Sequence, residues 1–437
     1  MTPEIQRRAY FNDEVIVVSP AVITLVILAV AAFFFVTDKL PIALTAMMVA
    51  TSLVLTGILP AKAAFAGFSD GTVILFGAMF IVGGALFETG MAYKIGKFCT
   101  SVAKSERQLL VIVMIVTATL SSVLSNTGTI AVLLPIVIGI SASSGINRSK
   151  ILMPFAFAAG MGGTITLIGT PANAIAKTAL EAMTPDRTLT FFEYAKTGIP
   201  LTIAGIIFMG LIGHKLVPAR ATSDVAVDSG ENNAVPAWKQ YVSLIVMVLA
   251  VAGMVFEKRI GIPLFVTGIV GALTLILTGV ITEKQAYAAI DMRTIFLTVG
   301  MMPMASALNS TGAGKMIADV VLSCFEGKPS PYVITAVMFL LGAGLTQFMT
   351  INACTTLLAP IAVAIAQGLG ARPVAVVMAV LLGANAAFCT PIAMTPNTMV
   401  YGYGEYKFTD YVRVGFPLEV IYFIGTMILA PVFWPFY

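Results

Sequence analysis

The sequence predicts an all-α polytopic membrane protein, with about 11 transmembrane helices, two re-entrant hairpins and two repeats containing discontinuous helices. Of its 437 residues, 58% are hydrophobic and only 11% are charged, and the mean hydropathy is +0.97. Soluble domains carry about 25% charged residues. Polar residues interrupt the apolar sequence at four positions, and the same landmarks occur twice in the same order. We expect the two repeats to be inverted.

Composition also argues against several functions. The net charge of +4 is ordinary for a membrane protein, and we identify no basic stretch suited to nucleic acid. Four scattered cysteines and one histidine lack metal-ligand spacing, so we interpret the cysteines as packing residues and expect no transition-metal site. We find no nucleophile–base pair within the spans and do not expect an enzyme. The first long apolar run, 15–36, reads as a span because it lacks a signal-peptide cleavage pattern.

The first interruption is Ser125-Asn126-Thr127, which lies between the apolar arms 109–124 and 130–140. Each arm is shorter than the roughly 20 residues that a membrane crossing takes. Backbone can bend at membrane depth only where it is buried in protein or lines a wet cavity. We therefore predict a re-entrant hairpin over 108–143 with a functional tip. The alternative is a helix-packing contact between small residues.

The second interruption breaks the apolar run that begins at residue 151. Pro171 lacks a backbone donor, and the residue before a proline resists helical geometry, so we predict a broken helix over 151–183 with its break at 169–173. Lys177 follows closely. We expect it to snorkel toward the interface, or alternatively to add positive potential at the site.

Both interruptions recur in the second half, displaced by 217 to 225 residues. The recurring landmarks are Thr56-Gly57 with Thr278-Gly279, Thr89-Gly90 with Thr311-Gly312, Pro135 with Pro360, Thr170-Pro171 with Thr395-Pro396, and Phe191-Phe192-Glu193-Tyr194 with Phe408-Thr409-Asp410-Tyr411. The predicted units are an N-terminal segment with an extra span (1–40), a first repeat (41–216), a polar linker (217–240), a span leading into the second repeat (241–262), and a second repeat (263–432) with a hairpin at 332–367 and a broken helix at 373–404. The matching tips are 125–129 and 350–354, and the matching breaks are 169–173 and 394–398.

Paired, interrupted segments of this kind mark the midplane binding site of secondary transporters. Opened helix ends present N–H groups that suit anions, and freed carbonyls with Ser, Thr and Asn oxygens suit Na⁺. Proton-driven carriers usually contain an intramembrane acid or histidine. We place the acidic residues at predicted span ends, so the sequence favours Na⁺ over H⁺. Those residues are Asp70, Glu88, Glu257 and Asp291.

At these motifs the sequence resembles the divalent anion:sodium symporters, which are the dicarboxylate, citrate and sulfate carriers of the ion-transporter superfamily. The resemblance spans nearly the whole chain in the order of its elements. The residues that carry it are Leu124-Ser125-Asn126-Thr127, Leu133-Leu134-Pro135, Gly162-Gly163-Thr164 and Ile168-Gly169-Thr170-Pro171-Ala172-Asn173. In the second half, Thr350-Ile351-Asn352 stands where Ser-Asn-Thr is expected.

The resemblance implies roles for residues of the first half. Ser125, Asn126 and the Gly169 carbonyl would ligate one Na⁺, with Ser121 or Ser122 adding an oxygen. Asn126 and Thr127 would also meet a substrate carboxylate. Thr170 and Pro171 of the first break would line the substrate site.

In the second half the implied roles fall on the altered tip and on the second break. Thr350 and Asn352 would contact the anion and a second Na⁺, and the carbonyl of Ala393 or Met394 would serve that same ion. Further tip oxygens that could reach a differently shaped anion belong to Gln347, Thr355 and Thr356. Thr395, Pro396 and Asn397 of the second break would line the substrate site.

The predicted function is a sodium-coupled secondary carrier in the bacterial inner membrane that takes up a small anion, such as the C4-dicarboxylates succinate and malate. The resemblance also implies a homodimer with an elevator mechanism. The alternatives are a carrier of citrate, sulfate or another small anion, or an antiporter or efflux permease for Na⁺/H⁺ or arsenite.

Overall fold

The computed structural model describes residues 19–37, 39–91, 94, 105–143, 146–184, 189–220, 235–323 and 329–437. Within these ranges all regular structure is helical, and five helices are long and apolar enough to cross a membrane. These five are Gly71–Glu88, Ala195–Leu216, Ala237–Met254, Ile351–Gly368 and Phe408–Phe433. The predicted all-α membrane fold is confirmed. The polar N-terminal segment, most of the linker, Cys99 and Cys324 lie outside the described residues.

The helices follow each other in two similar series. The first series is Pro20–Thr37, Ile42–Leu55, Gly71–Glu88, a hairpin of Glu106–Ser121 and Asn126–Ser143, a broken helix of Ser149–Gly163 and Pro171–Met183, and Ala195–Leu216. The second series is Ala237–Val255, Leu264–Leu277, Met292–Ser310, a hairpin of Pro331–Thr346 and Ile351–Gly368, a broken helix of Val374–Asn385 and Thr395–Tyr401, and Phe408–Phe433. Shorter helices connect them at Ala61–Ala64, Ala66–Ser69, Glu257–Ile260, Glu283–Ala289 and Ala313–Ser323. Both hairpins begin and end within two residues of their predicted limits.

The repeat is visible in the backbone of the helix ends. Gly57 and Gly279 have φ angles of +72° and +70°, and Gly90 and Gly312 have φ angles of +73° and +75°. Each glycine follows a threonine that ends a helix. The left-handed conformation that ends these helices suits a residue without Cβ.

The extra span predicted at the N-terminus has a counterpart in the second half. Pro20–Thr37 packs against the next helix of its own series and against Met292–Ser310 of the other. Ala237–Val255 packs against its own next helix and against Gly71–Glu88. The repeats therefore begin at these two helices rather than at residues 41 and 263. Both spans begin at a Pro-Ala pair, Pro20-Ala21 and Pro236-Ala237, a recurring landmark that was not among those predicted.

The inner helices are exchanged between the repeats. Pro171–Met183 packs against Ile351–Gly368 of the second hairpin, and Thr395–Tyr401 packs against Asn126–Ser143 of the first. This exchange places both hairpin tips and both breaks in the interior. Outside them, Gly198 and Gly415 lie against the backbone of the breaks, because a methyl group there would meet Thr164 O at 2.4 Å and Phe388 O at 2.2 Å.

We expect Gly415→Ala to destabilise the protein, since the added methyl group would displace the second break. Overpacking of this kind costs about 1–3 kcal/mol, and thermal unfolding in detergent would measure it as a lower Tm. The control is Gly344→Ala, at an exposed helical position where a methyl group meets nothing within 4 Å. Equal Tm values for Gly415→Ala and the wild type would contradict the close approach.

Candidate functional site

Both breaks begin earlier than the proline positions predict. The helices end at Gly163 and Asn385, and they resume at Pro171 and Thr395. The residues before the restarts, Thr170 and Met394, share an extended conformation with φ near −145° and −142°. They lie 224 residues apart, so the structural match differs by one from the predicted pairing of Thr170-Pro171 with Thr395-Pro396. Proline is tolerated throughout a first helical turn, so it does not mark an equivalent position in the two breaks.

One asparagine in each repeat pairs the carbonyl groups that its break leaves free. Asn173 donates from Nδ2 to two carbonyl oxygens at 2.8 and 2.6 Å, and Asn397 does so at 2.9 and 3.0 Å. The acceptors are Gly163, Thr166, Ala387 and Thr390. Both asparagines are fully buried. Buried carbonyl groups need such partners, particularly within a membrane.

A tyrosine supports each asparagine. The hydroxyl groups of Tyr194 and Tyr411 donate to the backbone oxygens of Asn173 and Asn397, at 2.8 and 3.0 Å. Both tyrosines end the recurring four-residue landmark found in the sequence. The landmark identified the repeat but gave no role to its tyrosines, nor did the sequence analysis assign one to Asn173. The amide hydrogens of Asn397, expected at the substrate, are used within the break.

The first tip and the first break meet at Asn126. Ser125 Oγ accepts a hydrogen bond from Gly128 N at 3.1 Å and so begins the second arm of the hairpin. The Asn126 side chain lies over Gly163, where a methyl group would stand 2.5 Å from Oδ1. Its amide also reaches the Gly169 carbonyl oxygen at 3.2 Å. The structure thus brings together Asn126 and the Gly169 carbonyl, two of the groups that the resemblance assigned to Na⁺.

Hydrogen bonding favours the Asn126 amide with Nδ2 inward, where its two hydrogens are shared among the carbonyl oxygens of Gly169 and Ala159, at 3.2 and 3.1 Å, and Ser121 Oγ at 2.7 Å. Turning the amide would place Oδ1 against the same two carbonyl oxygens. The single proton of the Ser121 hydroxyl would then go either to Oδ1, at 2.7 Å, or to the Ala159 carbonyl oxygen, at 2.8 Å. A cation is the partner that three converging amide-type oxygens can share.

The other residues predicted at the first site differ in their hydrogen bonds and in their burial. Ser122 donates to Thr119 O at 2.7 Å, within its own helix, so the serine that faces Asn126 is Ser121. Ser122 as a Na⁺ ligand stays a prediction, and Ser121, the alternative predicted with it, is the serine whose hydroxyl reaches Asn126. Thr127 is exposed, Thr170 is buried, and Pro171 is partly buried at the start of its helix.

The second tip keeps the hydrogen-bonded turn of the first tip but lacks the amide that lies over the first break. Thr350 Oγ1 accepts from Ala353 N at 3.3 Å, as Ser125 does in the first tip. Ile351 occupies the place of Asn126 and is buried, while Asn352 is partly buried. Ala387 and Ala393 replace Gly163 and Gly169. The second repeat therefore lacks the amide and both glycines that form the first site.

At the second break, one of the groups expected at a second Na⁺ is used within its own helix. The Met394 carbonyl accepts N–H groups of Asn397 and Thr398 at 3.0 and 3.3 Å, so it belongs to the restarting helix. Ala393 is the structural counterpart of Gly169, which corrects the assignment of Met394. Thr395 is exposed and Pro396 is buried. The residue between Thr350 and Asn352 is Ile351, so the second tip has no amide at the position equivalent to Asn126.

The structure identifies one charged residue that the sequence analysis missed. Glu419 lies within Phe408–Phe433, and its Oε2 accepts a hydrogen bond from Cys389 Sγ at 2.7 Å. The expectation that acidic residues lie only at span ends is therefore wrong, as is the interpretation of Cys389 as a packing residue. Lys177, in contrast, pairs with Glu181 at 2.7 Å instead of snorkelling.

A cavity of about 280 Å³ adjoins the outer side of the first tip. It lies between Gly71–Glu88, Glu283–Ala289 and the hairpin, and it reaches Ser125, Gly128 and Ile168. Its walls are largely apolar and include Phe76, Phe80 and Phe87.

We expect Asn173→Ala and Asn397→Ala to destabilise the protein to similar extents. Each leaves two buried carbonyl groups without a partner, at about 1–3 kcal/mol per group, and Tm in detergent should fall accordingly. Asn309→Ala is the control, because Asn309 is an exposed helical asparagine. Unchanged Tm values in both break variants would show that the breaks do not depend on these amides.

Comparison with known proteins places the chain among transporters. A family model described as a citrate transporter matches residues 32–381 and 251–437. An uncharacterized transporter of Haemophilus influenzae is 28% identical, with 94% of this chain and 91% of that protein covered. Sodium/sulfate cotransporter 1 of Chlamydomonas reinhardtii is 29% identical, but over 40% of this chain and 21% of its own length.

Two solved structures share the fold. The Alcanivorax borkumensis YdaH transporter, described as having an unusual topology, gives a TM-score of 0.65 at 15% identity, covering 95% of this chain and 98% of its own. Neisseria gonorrhoeae MtrF, described among antimetabolite efflux pumps, gives 0.61 at 16% identity, covering 87% and 83%. Together with the duplicated hairpins and broken helices, the family match over most of the chain leads to one conclusion: this is a multi-pass membrane protein of the citrate transporter (CitMHS) family, within the ion-transporter superfamily.

Proposed function

We propose that the protein is a sodium-coupled secondary carrier that takes up a small multivalent anion across the bacterial inner membrane. The first candidate substrate is a C4-dicarboxylate. The observation that carries the proposal is the meeting of the Asn126 amide with the Gly169 carbonyl oxygen, where the first tip touches the first break.

Na⁺ fits this meeting point because its ligands are neutral oxygens. The Asn126 amide lies 3.2 and 3.1 Å from the carbonyl oxygens of Gly169 and Ala159, so turning Oδ1 inward would bring three oxygens together around an ion. The tip is only partly buried, which would let the ion enter. Bringing an anion into a low-dielectric interior without a counter-ion is costly. A bound Na⁺ would offset that cost, which gives the coupling its physical reason. The sodium/sulfate cotransporters among the partial relatives support this choice of ion.

The anion fits the ends of the inner helices. Asn126–Ser143, Pro171–Met183 and Ile351–Gly368 all begin at the interruptions, and their first N–H groups carry partial positive charge. The tips and breaks carry no lysine or arginine in their sequence, so helix ends, hydroxyls and the bound cation would supply the attraction. One carboxylate would contact Asn126 and Thr127.

The second half is proposed to hold the remainder of the anion without a matching Na⁺. Thr350 and Asn352 can offer a hydroxyl and an amide. Ile351, Ala387 and Ala393 stand where the first repeat has Asn126, Gly163 and Gly169. The carrier would then use one Na⁺ at the tips. We further propose an elevator-type movement of the hairpins and broken helices against the outer helices, in a homodimer, as in the family that the sequence resembles.

Uptake into proteoliposomes tests the function. Labelled succinate, citrate and sulfate are each supplied with and without an inward Na⁺ gradient, and unlabelled anions compete. Accumulation of one of them that depends on Na⁺ is the expected result, and succinate is the anion expected to accumulate. Transport that ignores Na⁺ and runs outward would contradict the proposal and favour an efflux permease.

We expect Asn126→Ala and Ser121→Ala to reduce Na⁺-dependent uptake at least tenfold, about 1.4 kcal/mol. The first removes a proposed ligand oxygen, and the second removes the hydroxyl that bonds to the Asn126 amide. The matched control is Ser122→Ala, because that hydroxyl bonds only within its own helix and should leave uptake near the wild-type rate. The half-saturating Na⁺ concentration should rise in Ser121→Ala alone of the two serine variants. Equal effects of the two would exclude the assigned geometry.

A further inference from the structure

We propose that the Glu419 carboxyl group binds a proton and that this proton binding is linked to the binding of the anion at the second break. The inference rests on the proposed carrier function and adds a titratable group to it. No such group was expected from the sequence.

Glu419 lies deep in the membrane-spanning part of the protein. It is about 16 Å from the start of a helix about 39 Å long, at 1.5 Å per residue. Its side chain is partly buried. A carboxyl group at this depth is costly unless it is neutral or paired, and such groups are usually functional.

A short series of contacts joins Glu419 to the second tip. Gly415, one turn earlier in the helix, packs on the second break, and a methyl group there would lie 2.9 Å from Cys389 N. The Cys389 thiol then donates to the Glu419 carboxyl at 2.7 Å. The next residue, Thr390, donates from Oγ1 to the Gln347 carbonyl oxygen at 3.3 Å, at the turn of the second hairpin. Two hydrogen bonds, from Cys389 to Glu419 and from the adjacent Thr390 to Gln347, thus connect the carboxyl group with the second tip.

The first repeat has no charge at the equivalent place. The recurring landmark aligns Glu419 with Thr202, which donates to the Met161 carbonyl oxygen at 3.1 Å. The second repeat has therefore lost the tip amide, through Ile351, and gained a carboxyl group behind the break. The two repeats contain different chemistry: neutral oxygens in the first and a titratable group in the second.

The surroundings do not compensate an ionised carboxylate. None of the ion pairs among the described residues includes Glu419. Its polar partner is a thiol, which is a weak donor. The helices packed against it are Ala195–Phe208, Pro331–Thr346 and Val374–Asn385. Besides Cys389, the titratable groups of these helices and of its own are Lys196, Tyr332, Asp410, Tyr411, Arg413 and Tyr422.

The two charged groups nearest the ends of these helices are already paired. Lys196 bonds to Glu193, and Asp410 bonds to Arg220. Arg413 and Tyr332 are exposed. A proton is then the positive charge available to Glu419. An anion at the second break would repel the carboxylate and not the acid, so anion binding and proton binding must favour each other.

Two measurements on the full-length protein test this linkage. Infrared spectra of the reconstituted protein are recorded against pH, for the wild type and for Glu419→Gln. We expect a carboxylic-acid C=O band that disappears as pH rises and that Glu419→Gln lacks. This readout does not require transport, so it remains informative if no anion tested is carried.

The second measurement is KM for the transported anion, among labelled succinate, citrate and sulfate, against pH at a fixed Na⁺ gradient. In the wild type KM should rise with pH by up to about tenfold per unit, the limit for one linked proton. In Glu419→Gln it should stay constant at the low-pH value. Glu283→Gln is the control, because Glu283 is an exposed acid at the start of a short surface helix.

Two results would overturn the inference. One is an infrared spectrum of Glu419→Gln that matches the wild type at every pH. The other is a KM that varies with pH equally in Glu419→Gln, Glu283→Gln and the wild type. A wild type that carries none of the anions, yet shows the Glu419 band, would refute the proposed carrier function and leave the proton site standing.

Discussion

The structure depends on one constraint: a helix that opens inside a membrane must find partners for the backbone groups it frees. Asn173 and Asn397 meet that constraint by donating both amide hydrogens to carbonyl oxygens of their own breaks. Tyr194 and Tyr411 hold the asparagines in turn. With these groups satisfied, other polar groups at the interruptions remain available to a ligand. We therefore propose that stability and binding depend on different residues of the same short segments.

The repeats share this framework and differ in what they add to it. In the first, Gly163 leaves space for the Asn126 amide, and Gly169 lies against the Gly163 backbone, so the amide reaches the Gly169 carbonyl oxygen. In the second, alanines and Ile351 fill that space, and a carboxyl group approaches the break from behind. The two repeats thus share a frame, and we propose that their interruptions have separate tasks.

Much of this could be predicted from the sequence. Interrupted apolar runs fixed both hairpins, and Gly and Pro landmarks revealed the repeat. The breaks were misplaced because carbonyl pairing by Asn173, not Pro171, sets where the helix opens. The pairing of Pro20–Thr37 with Ala237–Val255 became evident from their packing, although both spans begin at a Pro-Ala pair. Ser121 and Ser122 are neighbours that only their side-chain directions distinguish. Glu419 was overlooked within a long apolar span, although its alignment with Thr202 would have identified it.

We propose that the first tip binds Na⁺ and that the second does not. An experimental density map of the protein, purified in Na⁺ with a saturating transported anion, would show this. We expect cation density among Asn126 Oδ1 and the carbonyl oxygens of Gly169 and Ala159, with the anion between the tips. We expect none beside Ile351 and Ala393. Matching cation density at both tips, or at the second alone, would contradict the proposal.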